Sequence, residues 1–291
     1  MNKSKLMIIS SMVIFGTIGV FRKYIPLSSE LIAMIRGIIG SLFLILVLKI
    51  KKEMINWQAI KDNLLLIFIS GGLLGFNWIL LFEAYQYTSV ATATLCYYMA
   101  PIFVILVSPF IFKERLTIKK IGCVLVSLIG MIFVSGVLNT GFSGIQETTG
   151  ILFGLIAALF YASVVIINKK IINIDAIDRT VMQLSTAAVI LLPYNFITGQ
   201  FTDVSLTLNV FIILLFVGIV HTGIAYALYF GSIKDLKAQT AALFSYIDPI
   251  VAIWLSALVL HENVGISEII GAVLVLGATI ISELTDMKGE K

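Results

Sequence analysis

The sequence predicts an all-α integral membrane protein, with ten transmembrane helices laid out as two inverted repeats of five and both termini in the cytoplasm. Three observations carry that expectation. The first is composition. Hydrophobic residues make up 59% of the 291-residue chain and charged residues 12%, and the mean hydropathy is +1.07, more apolar surface than a soluble domain of this length needs. The second is an internal repeat at a spacing of 148. Thr92, Ala93, Leu95, Tyr98, Pro101, Ile102, Ile105, Ser108 and Glu114 fall on Thr240, Ala241, Leu243, Tyr246, Pro249, Ile250, Ile253, Ser256 and Glu262. Ile118, Ile121, Leu128 and Ile132 continue the match at Ile266, Ile269, Leu276 and Ile280, giving 13 identities over residues 89–134 without a gap. The third is sidedness. With the N-terminus in the cytoplasm, 17 Lys and Arg residues fall on the cytoplasmic side and two, Arg22 and Lys23, on the other, with Arg36 inside a span.

A spanning helix needs about 20 mostly apolar residues. The segments that qualify are 5–21, 28–48, 63–84, 90–112, 118–138, 148–168, 178–197, 207–232, 238–260 and 264–284. Their runs are continuous rather than alternating, which favours helices over a barrel. Residues 5–21 follow Lys3 and Lys5, but no small-x-small cleavage site comes after them and Arg22-Lys23 does, so this is a retained helix and not a signal peptide. Residues 28–48 end at Lys49, Lys51 and Lys52, and Glu53-Met54-Ile55-Asn56-Trp57 reads as a short amphipathic stretch at the cytoplasmic interface. Gly71-Gly72-x-x-Gly75, inside 63–84, reads as a site of close helix packing. Residues 90–112 carry no charge from Ala91 to Phe112, and Lys113, Arg115, Lys119 and Lys120 separate them from 118–138. Gly and Ser within 139–144 mark the linker between a first repeat, 1–140, and a second, 146–285. Lys169, Lys170 and Arg179, then Lys234 and Lys237, then Lys288 and Lys291 mark the cytoplasmic turns of the second repeat. Five spans is an odd number, so the second copy runs upside down relative to the first. That arrangement points to alternating access.

Among the ionisable side chains inside predicted spans, four stand out: Arg36, Glu83, His221 and Asp248. A charge at mid-span costs at least about 2.5–3.5 kcal/mol, so it faces a cavity or a partner. Asp248 stands directly before Pro249, a residue that opens a helix locally. Two compatible readings stay open: a substrate-amine or proton site, and a buried carboxylate paired with Arg36. Arg36 likewise either clamps a substrate carboxylate or neutralises Asp248. His221 reads as a proton relay or as a hydrogen-bonded packing residue. Glu83 reads as a coupling carboxylate or as a solvated helix-end group. Glu114 and Glu262, matched across the repeat, read as terminal features of their helices. Asn77 and Trp78, Tyr97 and Tyr98, Tyr161, Tyr226 and Tyr229, and Tyr246 complete a cavity lining or serve as ordinary packing. Tyr98 and Tyr246 are repeat mates, each three residues before the paired Pro101 and Pro249, which are the expected hinges.

Several classes are excluded or set aside. Cys96 and Cys123 form no metal spacing and no disulfide framework, and no metal or cofactor is expected. No HExxH, GxGD or paired His is present. Gly141-Phe142-Ser143-Gly144 fits the GxSG pattern of intramembrane serine proteases, but the serine falls in a linker with no histidine near it in sequence. No basic domain exists to hold nucleic acid.

The run Glu83-Ala84-Tyr85-Gln86-Tyr87-Thr88-Ser89-Val90-Ala91, and Pro101 followed by Lys113-Glu114-Arg115-Leu116, recur in part at Asp248-Pro249 and His261-Glu262-Asn263. With the two five-helix repeats, they resemble an EamA-domain member of the drug/metabolite transporter superfamily over essentially the whole chain. The resemblance implies a multi-pass plasma-membrane carrier with a central cavity lined by helices 3, 4, 8 and 9, often exporting amino acids, other metabolites or drugs. Asp248 has Ala100 as its repeat mate, so this charge is outside the shared skeleton. The sequence therefore leads to a secondary active transporter of small organic solutes that is proton-coupled through Asp248 and embedded in lipid. One chain supplies both halves, so a monomer suffices and a homodimer is compatible. The alternative from another class is a membrane accessory or lipid-handling protein without small-solute transport.

Overall fold

Apolar segments in lipid must satisfy their own backbone groups, and helices do so within one segment. The computed structural model describes residues 3–22, 24–88, 93, 96–134, 145–201, 206–260 and 265–289, and every regular element among them is helical. The first half holds α1 (Lys3–Arg22), α2 (Ser29–Lys51), the short α3 (Trp57–Asp62), α4 (Leu64–Tyr87), α5 (Ala100–Phe112) and α6 (Ile118–Val134). The second holds α7 (Ile145–Lys170), α8 (Ala176–Ile197), and a rod made of α9 (Leu208–Phe216), a π-helical turn (Val217–Ile224) and α10 (Ala225–Ile233). It ends with α11 (Ala238–Phe244), α12 (Ile247–Leu260) and α13 (Ile266–Gly289). Polar residues start several of these elements by accepting from first-turn amides: Ser28 from Leu31 N (3.3 Å), Asn56 from Ala59 N (3.0 Å) and Thr207 from Val210 N (3.4 Å).

Six of the described helices are long and apolar enough to cross a membrane: Lys3–Arg22, Ser29–Lys51, Leu64–Leu81, Thr148–Lys170, Ala176–Ile197 and Leu208–Ile233. Ala100–Phe112 and Ile269–Ala278 are shorter apolar pieces. Large apolar side chains point outward along these rods. Leu42, Phe68 and Val189 are exposed, and Phe110 keeps 86% of its surface. An outward face of this kind fits hydrocarbon as its surroundings. Inside sit Asn77, Asn168, Arg179, Gln183, His221 and Gln239, all nearly inaccessible.

The principal packing pairs join one half to the other. α1 packs on α12 and α10, and α7 packs on α5 and α4; α2 packs on the π-helical turn, and α8 packs on α4. α2 meets α8, α5 meets α11, and α6 meets α13. Exchanging both helices for their repeat mates, 148 residues away, turns α1 on α12 into α7 on α5, α1 on α10 into α7 on α4, and α2 on the π-helical turn into α8 on α4. Small residues permit the crossings. A Cβ at Gly71 would stand 2.7 Å from Thr186 Cβ, and one at Gly40 would stand 2.9 Å from Thr222 Cγ2. The Gly71-Gly72-x-x-Gly75 run does lie against α8, with Gly75 facing Ala187.

Three expectations change. The continuous span 90–112 is broken, because residues 98 and 99 form a turn before α5. The span 238–260 is broken in the same way at Ser245 and Tyr246, between α11 and α12. Pro101 and Pro249 are therefore not mid-helix. Each sits in the first turn of a half-helix, where its missing N–H costs no hydrogen bond. The amphipathic stretch is also shifted: residues 53–56 are non-helical and α3 begins at Trp57, capped by Asn56. The expected inter-repeat linker, 139–144, and Ser143 within it lie outside the described residues, as do His261 and Glu262.

Arg179 was expected as one of the basic loop residues, yet it is 1% exposed in the first turn of α8. Its Nη1 donates to the Asn168 carbonyl at 2.9 Å and its Nη2 to the Phe230 carbonyl. Both carbonyls are near helix C-terminal ends, which carry partial negative charge and unfilled acceptors. One guanidinium thus closes the ends of α7 and α10. Arg179→Leu should lower stability in detergent by roughly 2–4 kcal/mol, since two charge-assisted bonds are lost at once. Denaturant unfolding in micelles checks this, and an unchanged midpoint would leave Arg179 without that role.

Candidate functional site

The two helix breaks face each other, and aromatic side chains converge on them. Tyr98 and Tyr246 stand with ring centroids 6.5 Å apart, and the Tyr246 hydroxyl donates to the Tyr98 carbonyl at 3.3 Å. That carbonyl is accessible because the break leaves the helix ladder there. Trp78 on α4 donates Nε1 to the Tyr226 hydroxyl of α10 at 3.3 Å. Both contacts join residues 148 apart, the spacing of the internal repeat. Tyr97 links the groups, 5.9 Å from Tyr98 and 5.7 Å from Tyr161 by ring centroid, and Tyr161 stacks on Tyr229 at 6.2 Å. Tyr97, Tyr98 and Tyr161 keep part of their surface open where residues of both halves meet.

Two charges enter this aromatic cluster. Arg36, on α2 and 8% exposed, lies over the Trp78 ring with Cζ 4.8 Å from its centroid. Its guanidinium also lies near Tyr226, while Nε has no hydrogen-bond partner. Asp248 occupies the first turn of α12, where the positive end of the helix favours a carboxylate, and its side chain lies near Tyr98. Of the two readings left open for Arg36 and Asp248, the ion pair between them is not made, and each lies beside a different tyrosine. Tyr226 lies within electrostatic reach of both. Gly16 lets α1 run directly along the break, since a Cβ there would be 2.6 Å from the Asp248 carbonyl oxygen.

Asn77 is fully buried and donates Nδ2 to the Ala157 carbonyl at 2.7 Å, tying α4 to α7 beneath Trp78. It also interacts with the Tyr97 side chain. His221 belongs to a different contact. Its Nε2 is 2.7 Å from Thr17 Oγ1, and Thr17 spends its own proton on the Ile14 carbonyl at 2.7 Å, so Nε2 carries the hydrogen. Phe21 and Phe216 present their rings to the imidazole at 5.2 and 5.7 Å, making it an apolar seam between α1 and the π-helical turn. Glu83 is outside the cluster as well, accepting from the Tyr194 hydroxyl at 3.0 Å. Pro101 and Pro249 begin the two half-helices directly after the breaks.

Sequence reasoning passed over Phe15, which sets its edge against Tyr226 at 5.0 Å and Tyr229 at 6.3 Å. Nothing local distinguishes it from the other phenylalanines of apolar helices. The arrangement offers one cation, one carboxylate and a wall of hydroxyl-tipped aromatic rings between two halves. Among the described residues, no cluster of metal-ligating side chains accompanies it.

Comparison with known proteins agrees in kind. The EamA-like transporter family matches twice, over residues 2–136 and 148–283. A Bacillus subtilis protein named uncharacterized transporter YxxF is 29% identical over 274 residues, covering 94% of this chain and 86% of its own. A second from the same organism, uncharacterized transporter YoaV, is 30% identical over 84% of this chain and 82% of its own. A Clostridium kluyveri protein, also named an uncharacterized transporter, is 31% identical over 70% and 67%. One solved crystal structure superposes with a TM-score of 0.84 over 99% of both chains at 18% identity, which shows a shared fold.

Proposed function

The chain belongs to the EamA-like transporter family, and we propose from that premise that it is a secondary active carrier exporting small organic metabolites, such as amino acids or drug-like solutes. It spans the plasma membrane ten times as two inverted repeats, 1–140 and 146–285, with both termini cytoplasmic, and it works by alternating access. A monomer suffices, because one chain holds both halves.

The observation that carries this reading is the meeting of repeat mates in and beside the helix breaks. Trp78 touches Tyr226, and Tyr98 touches Tyr246, each pair 148 residues apart. Residues related by a two-fold rotation approach each other only near the rotation axis. The aromatic cluster therefore sits on the axis relating the halves, where carriers built from inverted repeats hold their solute, and where broken helices offer free backbone groups. Arg36 receives a carboxylate or other anionic group of the solute, the tyrosines and Trp78 pack its apolar body, and Asp248 takes up and releases the coupling proton. The two halves rock about the turns at residues 98–99 and 245–246.

Uptake of labelled amino acids, organic cations and nucleosides into proteoliposomes, each with and without a proton gradient, tests the proposal. Saturable flux accelerated by the gradient is expected for one of these classes. Flux on none of them from folded protein would favour a lipid-handling or accessory role. Pro101 and Pro249 enter the test too. Alanine at both positions lets the helices propagate through the breaks and should lower turnover at least about fivefold. Unaltered turnover would remove the prolines from the mechanism.

A further inference from the structure

Away from the aromatic cluster, a charged contact also joins the halves, and its members are nearly enclosed. α5 ends at Phe112, and Lys113 then takes a left-handed conformation, φ 56°. A non-glycine residue held there is strained by about 1 kcal/mol or more. The turn carries Glu114 across to the start of α11. Its Oε1 accepts from the Ala238 amide at 2.7 Å and its Oε2 from the Gln239 amide at 3.2 Å. α11 has no side-chain cap of its own, so a carboxylate from the first half fills the first-turn donors of a helix in the second. Lys169 at the end of α7 closes the other side: Nζ lies 3.8 Å from Glu114 Oε1, bonds the Leu236 carbonyl, and sits 5.4 Å from the centre of the Phe112 ring. Just inside, the Gln239 side chain donates to Ser108 Oγ at 2.8 Å.

We infer that Glu114 is a gating residue. By capping α11 and pairing with Lys169 it latches the pathway shut on the side of the lysine-rich loops, and it must leave the Ala238 and Gln239 amides for that side to open. Three features fit a latch better than a static brace. The contact bridges the two halves, which alternating access requires to part. It is carried by a strained residue, so release relieves strain as it breaks hydrogen bonds. A cleft of about 700 Å³, lined by Lys169, Lys234 and Asp235, opens beside it, so water is already at its outer face. Behind it, Gln239 and Ala242 stand one turn apart on α11. α11 leads from the latch to the turn that holds the Tyr98–Tyr246 contact.

The latch rests on the carrier reading, and the two fail separately. Cys96 and Cys123 are replaced by alanine, and Ala242→Cys, 3% exposed in the native chain, serves as the reporter in oriented proteoliposomes. A membrane-impermeant maleimide is applied from the lysine-rich face. Glu114→Ala should speed labelling about tenfold or more, the population shift expected for one lost charge-assisted contact, while Glu114→Gln, which keeps an acceptor for the amides, restores slow labelling at least in part. Ala238→Pro tests the same bond without touching Glu114. Proline suits the first position of a helix, follows the extended Lys237 without strain, and removes one donor; it should speed labelling about threefold or more. Folded Glu114→Ala or Ala238→Pro protein labelling at the parental rate would overturn the latch, as would Glu114→Gln labelling as fast as Glu114→Ala. Absence of saturable flux in the parent chain would instead overturn the carrier reading.

Discussion

Asp248→Asn should abolish the response of transport to a proton gradient while leaving the protein folded and able to exchange solute down its own gradient. A carrier that moves one proton per solute accumulates about tenfold more solute for each pH unit of gradient, since one unit is about 1.4 kcal/mol. Asparagine fits the same space beside Tyr98, but it cannot exchange a proton. The measurement is counterflow and gradient-driven uptake by the same protein preparation. Exchange retained with gradient-driven accumulation lost places the coupling at Asp248. Unchanged accumulation at normal protein level would sink that assignment, and the carboxylate would then be a cap on α12, where helix and charge already suit each other.

Arg36→Leu should raise the KM for an anionic or zwitterionic solute about 10–100-fold with little change in maximal rate, the signature of lost ground-state binding. Arg36→Lys should recover only part of this, because an ammonium reproduces the charge and not the flat guanidinium that lies on Trp78. The structure sharpens this prediction in one respect. Arg36 and Asp248 form no ion pair: Arg36 lies over Trp78 and near Tyr226, and Asp248 lies near Tyr98. Arg36 Nε has no hydrogen-bond partner, and a buried donor left open is costly unless a ligand fills it. An unchanged KM for every anionic and zwitterionic solute transported would assign Arg36 to packing alone.

Much of the candidate site was legible before any fold was known. Asp248 and Arg36 stand out because charge is rare in apolar spans, and Tyr98 and Tyr246 because the repeat pairs them with prolines. Glu83 and His221 stood out for the same reason as Arg36, yet they lie elsewhere, on Tyr194 and Thr17. Rarity of charge in a span marks a residue that needs a partner; it does not say whether the partner is a solute or a neighbouring helix. Glu114 and Arg179 show the converse. At the ends of apolar runs they look like loop residues, and only the packing shows that one caps α11 and the other closes α7 and α10.

The sequence by itself determined the helical class, the apolar rods and their internal repeat, because hydropathy and run length act along one chain and lipid enforces them segment by segment. It also marked Pro101 and Pro249 as special, although not how. Tertiary structure decided that the prolines start half-helices rather than bend whole ones, that Trp78 meets Tyr226, and that Arg36 and Asp248 answer to different tyrosines. Those outcomes depend on where helices cross. The crossings are set by the close approach of small residues such as Gly16, Gly40 and Gly71 to another helix, and shape complementarity between helices leaves no periodic trace in either one alone.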